Sequence, residues 1–273
     1  MSLPHYFLQE QIISREKQEC FALALSADDL KHMKVARVAP GEHIAVVDAS
    51  SDYFECELVD YEAGTPLVRI CQKLDGAREV PHITLVQGLA KGEKMELVIR
   101  HATELGVEAF VPLKCQRCVM KLDDKKAADR VKRWNAVAKS AAMQSGQTRL
   151  SRVDAPATIK QFAATAARYD ALLVCWEEAP TSQRISGALT TLVEKCDRHI
   201  ADLNIAVVVG PEGGLASDEV GLLLSCDNAH LVSLGSSILR TETAGIVAPA
   251  LVLYSLGQLG GCVLERTKTG AAH

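Results

Sequence analysis

The spacing of apolar residues changes character near residue 80. Up to about residue 76 they come in short runs: Tyr6-Phe7-Leu8, Cys20 to Leu25, Ile44 to Val47, Tyr53 to Val59 and Leu67 to Cys71. Alternation is plain in Phe54-Glu55-Cys56-Glu57-Leu58. Turn signals at Pro40-Gly41 and Gly64-Thr65-Pro66 fall between the runs, and Asp28 to Val38 reads as a short helix. Regularly spaced short strands predict a small closed or nearly closed sheet. The polar stretch Leu74 to Pro81, with Gly76 and Pro81, predicts a linker, placing domains over 1–76 and 77–273.

Past the linker, strand and helix patterns alternate. Strands are expected over Ile83–Gln87, Ala109–Leu113, Leu172–Cys175, Ile205–Val209 and Leu231–Leu234. Helices are expected over Lys94–Leu105, Ala127–Met143, Thr158–Ala167, Ile185–Lys195, Ser217–Leu224 and Ala244–Leu256. Gly106 stands where a helix stops, and Ser217, ahead of Asp218 and Glu219, reads as an N-cap. Unbroken β-branched runs such as Ile205-Ala206-Val207-Val208-Val209 suit strands buried on both faces. The predicted fold class is therefore α/β, with a mainly parallel sheet covered by helices.

Ligands of such sheets lie beyond the carboxyl ends of the strands. Three segments belong there: Gly210-Pro211-Glu212-Gly213-Gly214, the turn at Leu234-Gly235, and Ile238-Leu239-Arg240-Thr241-Glu242-Thr243-Ala244. On spacing alone, a small-molecule cleft and ordinary turn punctuation are equally good readings. The last helix is apolar nearly all round (Ile246, Val247, Leu251, Val252, Leu253, Leu256), and Pro249 is expected to bend it. Such a helix is buried on every side, within one subunit or at an interface between two.

Composition narrows the classes. Aromatic residues make up 4%, too few for a surface of base-stacking platforms. No apolar run reaches the roughly 18 residues of a membrane span, and Met1 to Glu10 lacks a basic-then-apolar signal pattern, so a cytoplasmic protein is expected. The 9 cysteines are odd in number and dispersed. Cys115-Gln116-Arg117-Cys118 has no second pair to complete a zinc site, so reduced thiols and no metal are expected. The G-x-G-x-x-G, P-loop and G-x-S-x-G motifs are absent. The net charge of −4 is unevenly spread: −6 over residues 1–77, +7 over 78–152 and −5 over 153–273. The middle segment reads either as a phosphate-facing patch or as a solvated helix face carrying Lys125, Lys126, Arg130, Lys132, Arg133 and Lys139.

The pair Gly210-Pro211-Glu212-Gly213-Gly214 and Ser233-Leu234-Gly235-x-x-Ile238-Leu239-Arg240-Thr241-Glu242-Thr243-Ala244 closely resembles the RsmE family. These are SPOUT-class enzymes that use S-adenosylmethionine to methylate N3 of a uridine in 16S ribosomal RNA. Gln87 to Glu96, Glu104-Leu105-Gly106-Val107 and Gln144-Ser145-Gly146 extend the resemblance over most of 83–257. It implies a C-terminal trefoil knot and a homodimer built through the last helix. It also implies an N-terminal PUA-like β-barrel that helps hold RNA, although that segment is acidic and keeps only His32, Val35-Ala36-Arg37 and Gly41-Glu42 of the family's pattern. The resemblance further implies that main-chain groups of Gly210, Gly213, Leu234, Gly235, Ile238 and Leu239, with Cys175, surround the donor's adenosine. Leu234, Ile238 and Leu239 are equally suited to the core.

Methyl transfer needs nucleophile and methyl carbon held in line, and a uridine N3 must also lose its proton. A charged donor fork near the base carbonyls would stabilise the resulting anion, and Arg240 is the candidate for that task. Its alternatives are a phosphate anchor or an ion pair with Glu242. Glu212 reads as structural, holding its own loop. Two positions depart from the family: Ser237 and Gln147 stand where arginine is usual, which bears on phosphate binding more than on donor binding. Another RNA such as tRNA, or a non-catalytic RNA-binding assembly factor, are the alternative readings.

Overall fold

The computed structural model describes residues 3–74 and 80–260. Two compact units emerge, one from residues 3–74 with Lys139–Leu150, the other from residues 80–138 and 151–260. Most of the expected linker lies outside the described residues.

The first unit is a mixed five-stranded sheet ordered β1-β3-β4-β5-β2, with β1 His5–Phe7, β2 Cys20–Ala22, β3 His43–Val47, β4 Tyr53–Glu62 and β5 Thr65–Lys73. Only β1 and β3 run parallel; the other pairs are antiparallel. Of the closed or nearly closed sheet expected, the strand path is open: β1 and β2 are its two edges and do not pair with each other among the described residues. Alternation along β4 buries Phe54, Cys56 and Leu58 against Tyr6, Ile44, Val46 and Val68. Helix α1 (Ala27–Val35) is capped by Ser26, whose Oγ accepts from the Asp29 amide at 3.2 Å. Buried Asp29 is neutralised by Lys139 at 2.5 Å, and Ala142 and Met143 join this core.

The second unit carries the parallel sheet: β6 His82–Gly88, β7 Ala109–Lys114, β8 Arg152–Val153, β9 Ala157–Thr158, β10 Ala171–Cys175, β11 Asn204–Val209 and β12 Ala229–Val232. Six strands run in the order β12-β10-β11-β6-β7-β8, with β9 also paired to β7. The two-residue strands β8 and β9 carry too little pattern to be read in advance. Helices are α2 Lys94–Leu105, α3 Asp124–Ser145, α4 Ile159–Ala163, α5 Ile185–Lys195, α6 Ser217–Leu224 and α7 Thr241–Ser255.

Central strands are buried on both faces, as their unbroken apolar runs require. Ile205, Val207 and Val209 face one core with residues of α2, α5 and α7, while Ala206 and Val208 face the other with Val220 and Leu223 of α6. Helix α2 ends at Gly106, which adopts φ 99°. The expected cap of α6 shifts by one: Ser217 is already helical, and Glu219 reaches back to accept from the Ala216 amide at 2.9 Å. Ala216 has no side-chain acceptor of its own, so only this half of a capping box is made.

Helix α7 starts earlier than expected, directly after Arg240, and Pro249 lies inside it without ending it. It packs on α2, α5, β6 and β11. The close approach is set by Gly245: a Cβ there would lie 2.4 Å from Gln87 Oε1 and 3.0 Å from Val98 Cγ1. Complete burial is not seen, since Leu251 and Tyr254 stay exposed on one stripe of the helix.

Two expectations follow. Gly245→Ala gains helix propensity of up to about 1 kcal/mol, but overpacking costs about 1–3 kcal/mol. The net effect is destabilisation, to be read in urea unfolding of the full chain. His5, buried beside Phe7 and Tyr53, is pushed down to about 4 by burial. Its unfolded value near 6.5 is higher, so the unfolded chain takes up the proton first. Stability is complete above pH 6.5 and falls as pH drops toward 4; in His5→Phe this part of the pH dependence should vanish from the unfolding midpoints.

Candidate active site

A cavity of about 480 Å³ opens at the carboxyl ends of β10, β11 and β12. Its walls come from the three segments expected there, residues 209–214, 233–237 and 238–241, with Cys175, Trp176, Glu177, Lys94 and Ala244. All of Cys175, Gly210, Gly213, Leu234, Gly235, Ile238, Leu239 and Arg240 line it. The volume is of the size that takes a small organic ligand, about 300–1,000 Å³.

One buried node holds the walls together. Gln87, at the end of β6, donates from Nε2 to Thr241 Oγ1 at 2.8 Å, and Thr241 Oγ1 donates to the Gly210 carbonyl at 2.6 Å. Strand β6, the loop after β11 and the first turn of α7 therefore meet in one pair of hydrogen bonds. At Gly214 the backbone takes φ 70°, a left-handed conformation that favours glycine, and a Cβ there would push the Glu177 carboxylate aside.

A second tie lies at the rim. Lys94 Nζ bridges Glu212 at 3.2 Å and Glu242 at 3.1 Å, and Glu212 also accepts from the Lys91 amide at 3.0 Å. Glu212 is thus structural as expected, but it anchors the segment before α2 as well as its own loop. Burial works to raise its carboxyl; the Lys91 amide, its own amide and Lys94 outweigh this and hold it below the usual range. The Glu242 carboxyl is lowered mainly by its own amide at the start of α7, then by Lys94 and Arg240, while Glu242 and Glu212 raise Lys94.

The structure sorts three of the expected readings. Ile238 is 85% exposed and is not a core residue, whereas Leu234 and Leu239 pack against the core while lining the cavity. Arg240 and Glu242 do not close an ion pair: Glu242 is held by Lys94, the Arg240 charge acts on it only from further off, and the Arg240 guanidinium has no hydrogen-bond or ion-pair partner among the described residues. The basic face of α3 lies at the surface, with Lys125, Lys126, Lys132 and Arg133 exposed, and part of its charge is paired within the chain, Lys126 with Asp123, Arg130 and Arg133 with Glu96, and Lys139 with Asp29. Lys94 and Glu177 escaped the sequence reading. Lys94 had left a signal, because a cation in the first turn of a helix opposes its dipole and calls for nearby acids.

The cavity fits an adenosine-bearing ligand in one further respect. Trp176, in its wall, buries its indole N–H without an acceptor, a donor that a polar ligand would satisfy. The class follows from a family match: residues 78–253 fit the RNA methyltransferase domain. The chain is 32% identical to ribosomal RNA small subunit methyltransferase E of Bacillus subtilis over 95% of its own length and 99% of the relative's. Against the enzyme of the same name from Mycobacterium bovis it is 34% identical, over 78% and 79%. A ribosomal RNA small subunit methyltransferase E from Neisseria gonorrhoeae, solved bound to S-adenosyl methionine, superposes with a TM-score of 0.75 at 25% identity, over 92% of this chain and 97% of that one. The chain belongs to the ribosomal RNA small subunit methyltransferase E family.

The sign of the rim tie is testable. Carboxyls lowered in the folded state stabilise it above their ordinary range, near 4.3, and lose that contribution as pH falls through the lowered values; the raised Lys94 contributes below its ordinary value near 10.4. Lys94→Met should lower the melting temperature evenly across neutral pH, and the gap to the parent should close below about pH 4.

Proposed function

We propose that this chain transfers a methyl group from S-adenosylmethionine to N3 of a uridine in 16S ribosomal RNA, acting as a cytoplasmic homodimer. When bound, S-adenosylmethionine supplies an electrophilic methyl carbon on a sulfonium. Main-chain groups of Gly210, Gly213, Leu234, Gly235, Ile238 and Leu239, with Cys175, are the residues that would hold its adenosine, since all of them line the one cavity. The buried node of Gln87, Thr241 and Gly210 keeps these segments in register, which is what in-line transfer asks of the protein.

The observation that carries the catalytic part is Arg240. It is exposed at the cavity and unpartnered among the described residues, at the N-cap of α7. A guanidinium placed so stabilises negative charge spreading onto the base carbonyls as N3 gives up its proton.

The exposed apolar stripe of Leu251 and Tyr254 on α7 supports the dimer, since an uncovered apolar helix face calls for a partner. No helix among the described residues is long and apolar enough to cross a membrane. The trefoil knot is part of the proposal too, on the resemblance of the Gly210–Gly214 and Ile238–Ala244 motifs to the family. The first unit is proposed as the PUA-like domain that assists RNA binding, on the basis of its strand-rich sheet.

Methyl incorporation into small ribosomal subunits lacking the modification tests the reading. Arg240→Ala should lower the turnover number at least about a hundredfold, while calorimetry shows donor affinity largely retained. Equal loss of both would remove the assigned role, and label appearing in tRNA in place of 16S RNA would move the substrate.

A further inference from the structure

The Cys115-Gln116-Arg117-Cys118 motif takes no part in the cavity chemistry, yet it abuts the cavity wall. Past the end of β7 these four residues form a tight turn, the Cys118 amide donating to the Cys115 carbonyl at 3.1 Å. The first and last Cα atoms of such a turn lie within about 7 Å of each other, a span that overlaps the roughly 4.4–6.8 Å that a disulfide bridges. The sulfurs also converge: both approach the Leu113 carbonyl, at 3.8 Å for Cys115 and 3.6 Å for Cys118, and the Cys115 amide donates to Cys118 Sγ at 3.3 Å.

The turn's two central residues grip the glycine loop and the helix behind it. Arg117 Nη1 donates to the Gly213 carbonyl at 3.1 Å, and a Cβ on Gly213 would come within 2.9 Å of Arg117 Cβ. The Gln116 amide donates to Glu219 at 2.8 Å, and its side chain to Asp218 at 2.5 Å. A change in the shape of the turn therefore has no slack before it reaches the loop over Gly210 to Gly214.

We propose that Cys115 and Cys118 are a reversible oxidation site, whose disulfide displaces the Gly213 loop and weakens ligand binding in the cavity. Cys118 is the attacking thiol. It is the less buried of the two, and its hydrogen bond from Cys115 lowers it to about 7, whereas that same interaction together with burial raises Cys115. The oxidant is a low-molecular-weight disulfide such as glutathione disulfide. The Cys118 thiolate attacks one of its sulfurs and expels a glutathione thiolate. Cys115 then gives its proton to the glutathione thiolate just expelled and attacks Cys118 Sγ in the mixed disulfide, expelling the second glutathione thiolate, which takes from water the proton that Cys118 released on ionising. Two protein thiols are oxidised to one disulfide, and one glutathione disulfide is reduced to two thiols.

The consequence for ligand binding rests on the cavity being the S-adenosylmethionine site; the disulfide itself does not. The full-length protein is incubated with glutathione disulfide and then read in three ways: peptide mass mapping, hydrogen exchange over residues 210–215, and calorimetry with S-adenosylmethionine. A Cys115–Cys118 link, faster exchange in that loop and about tenfold weaker binding are expected, all reversed by dithiothreitol. Cys118→Ser should bind S-adenosylmethionine as the reduced parent does and show no response to oxidant in the loop. Failure to form the link, or a link that leaves both loop exchange and affinity unchanged, would overturn the proposal. If the reduced protein bound no S-adenosylmethionine, the reading of the cavity would fall, and the oxidation site would stand or fall on the link and the loop exchange.

Discussion

Two hydrogen bonds, a buried one from Gln87 to Thr241 and a part-buried one from Thr241 to the Gly210 carbonyl, join positions 154 and 31 residues apart in the chain. None of the three is held there by its own local structure. The end of a strand, a glycine turn and the first turn of a helix each leave polar groups that must find partners once buried. Gln87 Nε2, Thr241 Oγ1 and the Gly210 carbonyl find them in one another, and the cavity wall is the result. Bonds of this kind give little net stability but are costly to leave unmade, so the node acts chiefly by penalising any arrangement in which the three segments separate.

Charge repeats this logic at the rim. Lys94, in the unfavourable first turn of α2, is compensated by Glu212 of the glycine loop and Glu242 of α7. Glu242 is doubly suited to its place, since an acid at a helix start also answers the dipole. The node fixes the segments from inside and the ion pairs fix them from outside. This division leaves the strip from Gly235 to Ile238 exposed between them, and Arg240 unclaimed beside it. The pairing of Lys94 with Glu242 leaves the Arg240 guanidinium without a close ion-pair partner among the described residues.

Most of the fold was legible in the chain because its elements obey simple periodicities. The helices at Lys94–Leu105 and Ile185–Lys195 have the bounds that their apolar spacing predicts, and the buried strands follow their β-branched runs. Errors gather where a local rule had a competitor. Ser217 looks like a cap, but Glu219 reaches back to cap the helix one residue earlier. Ile238 looks like core and is exposed, because the motif that contains it is a loop and carries no periodicity to place its side chains.

By itself the sequence determined the α/β alternation, the glycine turns at the strand ends and the apolar helix that follows the last of those turns. Each of these depends on backbone preferences and burial patterns within about a dozen residues. Tertiary structure alone decided that the three turns share one cavity, that Lys94 spans two acids, and that the Cys115–Cys118 turn leans on Gly213. Those contacts join positions whose separation along the chain carries no periodic signal, and they arise only when the packed sheet brings its carboxyl ends to one edge.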